Sequence, residues 1–499
     1  MHNFLLLLRI RADKAFGISI MKSAGGRRAR LENAAGTIIK LIGFVLIYAA
    51  ILAVCRYLGG IGLASVLPAS AYVISLVICF LMTIIRMNEI LTGEEDAEFL
   101  LSTPLPEMDH AFLMFLTTYL NSLIYVLLIC IPSAVVYASC MASGAAFWIR
   151  FIVGIILTPL PFGSLAALAG VFITLALADS PNRNRIQSFI SIFAILAGTV
   201  IVLLLIGKMV PVLCAGAAPG AEVDSKEVLN AVIANFRFGR MYEYAVVEGD
   251  KLYLILFICM SIFWYAAISV IVGFGWRLSV TSANCPVRYD NRPPKLMRPL
   301  DVRASLAKKE NEMFINSRVY LVRTAVGAVI GILLPVALCI MGTDRFFAAF
   351  RLSDYADRIE KCIPFLGCTF SALSATSYCS ISIEGKQSWI MHSIPLEMSD
   401  VRRSKALLSI KVTAVLAVVS GACFILALRP AAIEAILYIA VPVFWSVIVS
   451  IWGIYIDGRF GSSERLSETA AMRSGESYIL GYLPGIIVPL IITLSILFI

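Results

Sequence analysis

Few residues in this 499-residue chain are of types and spacings that do chemistry. The three histidines, His2, His110 and His392, stand far apart, and none has the spacing of a metal ligand pair. The twelve cysteines form no Cys-x-x-Cys pair and no Cys–His cluster. Most, such as Cys79, Cys130, Cys259 and Cys423, sit in apolar runs, as polarizable packing residues do. No Gly-x-x-x-x-Gly-Lys-Ser/Thr occurs, so the chain does not cradle a nucleotide with that loop. With no catalytic constellation, metal site or cofactor loop in view, the chain is expected not to be an enzyme by itself.

What remains is a pair of acidic, apolar segments, Glu94–Met108 and Glu384–Met398. Shifting the chain by 290 residues lays Glu94 on Glu384, Glu107 on Glu397 and Met108 on Met398. Each segment carries an aromatic residue, two large apolar residues, a small or polar pair and then proline. In the first these are Phe99, Leu100, Leu101 and Pro104, behind the acidic Glu94, Glu95, Asp96 and Glu98 and ahead of Glu107. In the second they are Trp389, Ile390, Met391 and Pro395, between Glu384 and Glu397. A polar connector has no use for such side chains; they dock on lipid headgroups or on a partner protein. Anionic lipid attracts basic amphipathic segments, so the duplicated acidic form favours a partner with two matching sockets.

The elements that must position these segments are spans of a membrane. The chain is 60% hydrophobic and 15% charged, with a mean hydropathy of +0.89. A soluble chain carries about 25% charged residues. The composition excludes a typical cytosolic enzyme, a nucleic-acid reader and a secreted disulfide scaffold. The net charge of +9 lies in short loops and reports orientation, not a nucleic-acid partner. About 20 helical residues cross the hydrocarbon layer. Such runs are expected at about 38–58, 68–88, 113–137, 148–178, 187–207 and 252–276, then at about 320–341, 362–383, 407–428, 434–456 and 478–498. Pro159, Pro161 and Gly163 interrupt the fourth, where a kink or a re-entrant break is expected.

Surface helices are expected before each half, over Phe4–Phe16 and Val302–Ile315. With the N-terminus in the cytoplasm, inner segments carry roughly 25 Lys and Arg and outer ones about 11, nine of the inner ones from Arg277–Arg318. The expected fold is an all-α polytopic protein of the cell membrane in two parallel repeated halves, 1–285 and 286–499. It has about eleven spans, or twelve in a complete chain. The second half comes one span short, and a truncated chain is preferred over loss of the last helix.

Charges deep in spans would signal proton relays. Arg86, Arg150, Arg323, Lys411, Glu434 and Asp457 all stand near span ends, where snorkelling accounts for them. Asn121, with Tyr119 and Thr118, makes one side of the third span polar; interhelical hydrogen bonding is the ordinary account and a substrate-facing wall the alternative. Asp457-Gly458-Arg459-Phe460-Gly461 is only faintly similar to the loop signature of major-facilitator carriers and carries no assignment.

These residues together resemble the exporter permeases of bacterial ATP-binding-cassette transporters. Leu5-Leu6-Leu7-Leu8-Arg9-Ile10-Arg11-Ala12-Asp13-Lys14-Ala15-Phe16-Gly17 is similar to their N-terminal interfacial helix. Phe99-Leu100-Leu101-Ser102-Thr103-Pro104 and Trp389-Ile390-Met391-His392-Ser393-Ile394-Pro395 resemble their leucine-leucine-serine-leucine-proline segment after the second span of each half. Ala304-Ser305-Leu306-Ala307-Lys308-Lys309-Glu310 is similar to their lysine-glutamate interfacial helix. The resemblance implies an exporter of an unspecified substrate, in which a separate ATP-binding subunit docks on the two segments and rocks the halves. An ion-gradient-driven carrier is the alternative. It needs a titratable residue near mid-membrane. A membrane-embedded enzyme acting on lipid-linked substrates is a third reading, and needs clustered His, Asp or Glu at an interface.

Overall fold

The computed structural model describes residues 47–92, 107–141, 144–177, 182–216, 236–284, 301–350, 352–460 and 478–498, with a few isolated positions between them. The described residues are 93% helical and include no strand. Nine helical stretches among them are long and apolar enough to cross a membrane, with a shorter apolar helix at Leu480–Ile496. The chain is an all-α, multi-pass membrane protein. Two of the eleven expected runs fall on the single stretch Ile47–Ile84, and the last falls on Leu480–Ile496; that is the difference between eleven and nine. The N-terminal surface helix lies outside the described residues.

The chain divides into two compact units. The first comprises Met1–Asp179, Ile201–Pro286 and Ala348–Arg351; the second comprises Ser180–Val200, Val287–Phe347 and Leu352–Ile499.

In the first unit, α1 (47–58) leads through Gly59–Leu63 into α2 (Leu67–Thr92). Gly62 has φ +97°, a left-handed conformation that glycine adopts without a Cβ penalty, and it divides Ile47–Ile84 into two helices. After α3 (Glu107–Met141) come α4 (Ala145–Leu157) and α5 (Pro159–Ala176). Thr158 between them keeps helical dihedrals. Its amide and its hydroxyl both donate to Gly154 O, at 3.0 and 2.7 Å. Pro159 and Pro161 remove backbone donors, yet the helical path runs on, so this division is not a re-entrant loop. Next are α6 (Arg183–Gly216), which belongs to this unit only from Ile201 on, α7 (Arg237–Tyr242) and α8 (Lys251–Asn284). Helix α2 packs on α3 and α5, and α8 packs on the same pair. Where α7 meets α2 and α8, Tyr72 stacks on Tyr242 at 4.1 Å with Phe257 edge-on to both.

The second unit contains α9 (Val302–Asn316), α10 (Arg318–Met341), α11 (Thr343–Ala349) as far as Phe347, α12 (Ala356–Leu373), α13 (Ser388–Ser393), α14 (Met398–Leu428), α15 (Ala432–Phe460) and α16 (Leu483–Phe498). Helix α9 is a surface-type polar helix joined to α10 through the extended Ser317. Helix α12 is central, packing on α10, α14, α15 and α16. Close approach uses small residues, as between helices in lipid. A Cβ added at Gly327 would lie 2.6 Å from Phe370 O, and one at Gly421 would lie 2.7 Å from Tyr438 O.

Candidate functional site

The expected span at 362–383 is helical only as far as Leu373. Beyond it the sequence Ser374-Ala375-Thr376-Ser377-Tyr378-Cys379-Ser380-Ile381-Ser382 is dense in short hydroxyl side chains, which compete with helix for backbone partners. Residues 374–387 are accordingly turns and short 3₁₀ segments, and most are buried. Irregular backbone is tolerated at such a place only if protein satisfies its polar groups.

The neighbouring helices do so. The amide of Thr376 donates to Ser409 Oγ of α14 at 3.4 Å. Ser374 Oγ donates to Thr324 O of α10 at 2.9 Å, and Ser377 Oγ to Val449 O of α15 at 3.3 Å. Asp457, near the end of α15, accepts from the amides of Ile381 at 2.6 Å and Ser382 at 3.1 Å. It accepts from the Ser382 hydroxyl as well. Asp457 is 1% exposed, so snorkelling does not account for it: the carboxylate holds the broken backbone. Arg323 does not simply snorkel either. Its guanidinium lies over the rings of Tyr378, at 5.0 Å, and Tyr482, at 4.6 Å.

Beside this break lies a buried ion cluster. Lys405 of α14 is 2% exposed. Its ammonium donates to Ser380 O at 2.7 Å, Glu384 Oε1 at 2.8 Å and Glu310 Oε2 at 3.1 Å. Those three acceptors use all three ammonium protons. Glu384 also accepts from Lys309 at 2.6 Å, and Lys309 lies 3.6 Å from Glu310. Two lysines and two glutamates make the cluster electrically neutral. Removing one partner of such a buried set costs about 3–5 kcal/mol, because a charge is left uncompensated. The cluster joins α9, α14 and the end of the broken segment. With its lysine fully engaged, the arrangement is a latch.

The second acidic, apolar segment hangs from this latch, and its members part company. Glu384 belongs to the latch. Met391, in α13, is buried against Leu306, Val401, Leu396 and Met398. Trp389 and Ile390 face outward, 66% and 43% exposed, while Pro395 and Glu397 are exposed beyond them. Two residues of this segment, Glu384 and Met391, are thus anchored inside the protein. In the first segment, Glu94, Glu95, Asp96, Glu98, Phe99, Leu100, Leu101 and Pro104 lie outside the described residues. Glu107 opens α3, and its side chain is likewise outside them.

Sequence reasoning missed Lys405, Glu310 and Lys309 as a cluster. The signal was positional: Glu384 ends one span, Lys405 begins the next, and Glu310 lies on the helix ahead of the seventh. No group of three or more His, Cys, Asp and Glu able to hold a metal occurs among the described residues. Comparison of the chain with protein-family profiles, curated proteins and solved structures gives no match.

Proposed function

We propose that the protein is the membrane-spanning permease of an exporter of the ATP-binding-cassette type, with its N-terminus in the cytoplasm and ATP hydrolysis supplied by a separate subunit. The observation that carries this reading is the second segment's division of labour. Exposed Trp389 and Ile390 stand on a short helix whose far side is anchored by Met391, and the chain leading into it is clamped through Glu384. A docking surface that receives a mechanical stroke needs both properties: an apolar contact for the partner, and a stiff connection to the helices that must move. The latch supplies that connection to α9 and α14. Phe99, Leu100 and Leu101 would form the matching contact in the first half.

The test is the double variant Phe99→Ala/Trp389→Ala in membranes carrying the ATPase subunit. Stimulated hydrolysis should fall at least about tenfold while insertion and expression stay normal; unchanged stimulation rejects the coupling assignment.

The buried ionisable cluster favours a second reading, a carrier driven by a proton or sodium gradient. Its lysine, Lys405, sits near the start of α14, and the neighbouring buried Asp457 near the end of α15. A relay would place them at mid-span. Uptake into vesicles driven by an imposed ion gradient, with no ATPase subunit, would support the carrier.

A further inference from the structure

Helices α9 and α14 enclose a groove of about 520 Å³ that the latch does not use. Its α14 wall is one helical face, residues 400, 403, 404, 407, 408 and 411, at three- and four-residue spacing. Four cations line it: Arg303 and Lys308 from α9, Arg403 and Lys411 from α14. Asp400 is the one carboxylate in the lining. It lies 3.8 Å from Arg303 and 4.0 Å from Arg403, so a single negative charge is shared between two guanidiniums. The lining is thus strongly positive. Ser404 is 8% exposed, and its hydroxyl has no hydrogen-bond partner among the described residues although it lines the groove. A buried hydroxyl without a partner is costly and points to a missing acceptor or donor.

We infer that this groove binds the phosphodiester headgroup of an anionic phospholipid, with Arg303 and Arg403 on the phosphate and Ser404 hydrogen-bonded to it. Free phosphate shares that chemistry, but two features favour lipid. Helix α9 leads directly into the span that starts at Arg318, and α14 continues into its own span, so the groove opens at the end of two membrane helices. Leu407, 65% exposed, stands between Arg403 and Lys411 and gives an apolar wall to an acyl chain, for which a free anion has no use. Basic pockets between membrane helices are suited to such headgroups. The inference does not depend on an ATPase partner.

The experiment is native mass spectrometry of the detergent-solubilised full chain, titrated with phosphatidylglycerol and with phosphatidylcholine of the same acyl length. The wild type should hold phosphatidylglycerol about thirtyfold more tightly, at roughly fivefold per cation for the two arginines. Arg303→Gln/Arg403→Gln should abolish that preference, and Arg303→Lys/Arg403→Lys, which keeps the charge, should retain most of it. Equal retention of the two lipids by the wild type, or an undiminished preference in the double glutamine variant, overturns the proposal and leaves the cations to an acidic protein surface. Displacement of the lipid by millimolar glycerol phosphate overturns it in favour of a soluble phosphate.

Discussion

At the 290-residue offset the two halves place different chemistry at corresponding positions. Lys405 corresponds to Phe115 and Asp457 to Ala167. Phe115 is 2% exposed and meets Tyr265 edge-on at 5.9 Å, and Ala167 is fully buried. The second span also differs. In the first unit α2 runs helical to Thr92, whereas its counterpart stops at Leu373 and gives way to turns. A helix that keeps its own hydrogen bonds needs only apolar neighbours. One that breaks inside the bundle must borrow donors and acceptors, which Asp457, Ser409 and Lys405 provide. At these positions packing is thus apolar in the first unit and ionic in the second.

That contrast is open to attack by mutation, beginning with the latch. Lys405→Met leaves the two carboxylates Glu310 and Glu384 to the half-exposed Lys309 alone and should cost about 3–5 kcal/mol, seen as a large drop in thermal midpoint in detergent. The triple variant Lys405→Met/Glu310→Gln/Glu384→Gln should recover most of the loss; a triple variant as damaged as the single one would contradict a charge latch. Asp457→Ala, which imports the first unit's residue, removes the acceptor of two amides and a hydroxyl. It should cost about 2–3 kcal/mol and speed hydrogen exchange at Ile381 and Ser382.

Glu243 sharpens the contrast from the other side. It is the buried charged side chain of the first unit among the described residues, and no lysine or arginine there forms an ion pair with it. Burial, with Glu248 nearby, raises its pKa to about 7, against the opposing pull of Arg240. The folded protein therefore binds more protons than the unfolded chain between about pH 4.5 and 7, and stability falls as pH rises through that window. Glu243→Gln should remove this slope and gain about 2 kcal/mol at pH 8. An unchanged pH profile would show that the carboxyl is already solvated.

The smallest effects come from glycines. Gly327→Ala drives a Cβ against Phe370 O and Leu373 Cβ, at 2.6 and 2.9 Å, and should destabilise by about 1–2 kcal/mol. Gly163→Ala in the first unit meets nothing closer than Thr83 Oγ1 at 3.9 Å and should stabilise by less than about 1 kcal/mol through helix propensity. Reversed signs would mean that the close approach of α10 and α12 relaxes freely.

Membrane helices were legible because hydropathy over 20 residues is a collective signal that no single side chain decides. The runs beginning near 113 and 407, for example, lie within α3 and α14. The break after Leu373 was not legible, because an 18-residue average hardly registers Ser374, Thr376, Ser377 and Ser380 between apolar neighbours. Of the second segment, the aromatic–apolar–proline pattern marked Trp389 and Ile390. It could not separate exposed Trp389 from buried Met391, two residues on, since that depends on which side of a six-residue helix meets Leu306 and Val401. The ion cluster was hidden by distance along the chain: Glu310 and Lys405 are 95 residues apart, and alone the one reads as an ordinary charge of a surface helix and the other as a charge near a span start.

The most direct test of the central claim is a photoreactive amino acid placed at Trp389 and illuminated in native membranes. The proposed function predicts a single adduct with a subunit that carries a nucleotide-binding phosphate loop, lost when Glu384→Ala releases the latch. Adducts with lipid alone would contradict it, and so would an adduct unaffected by the latch.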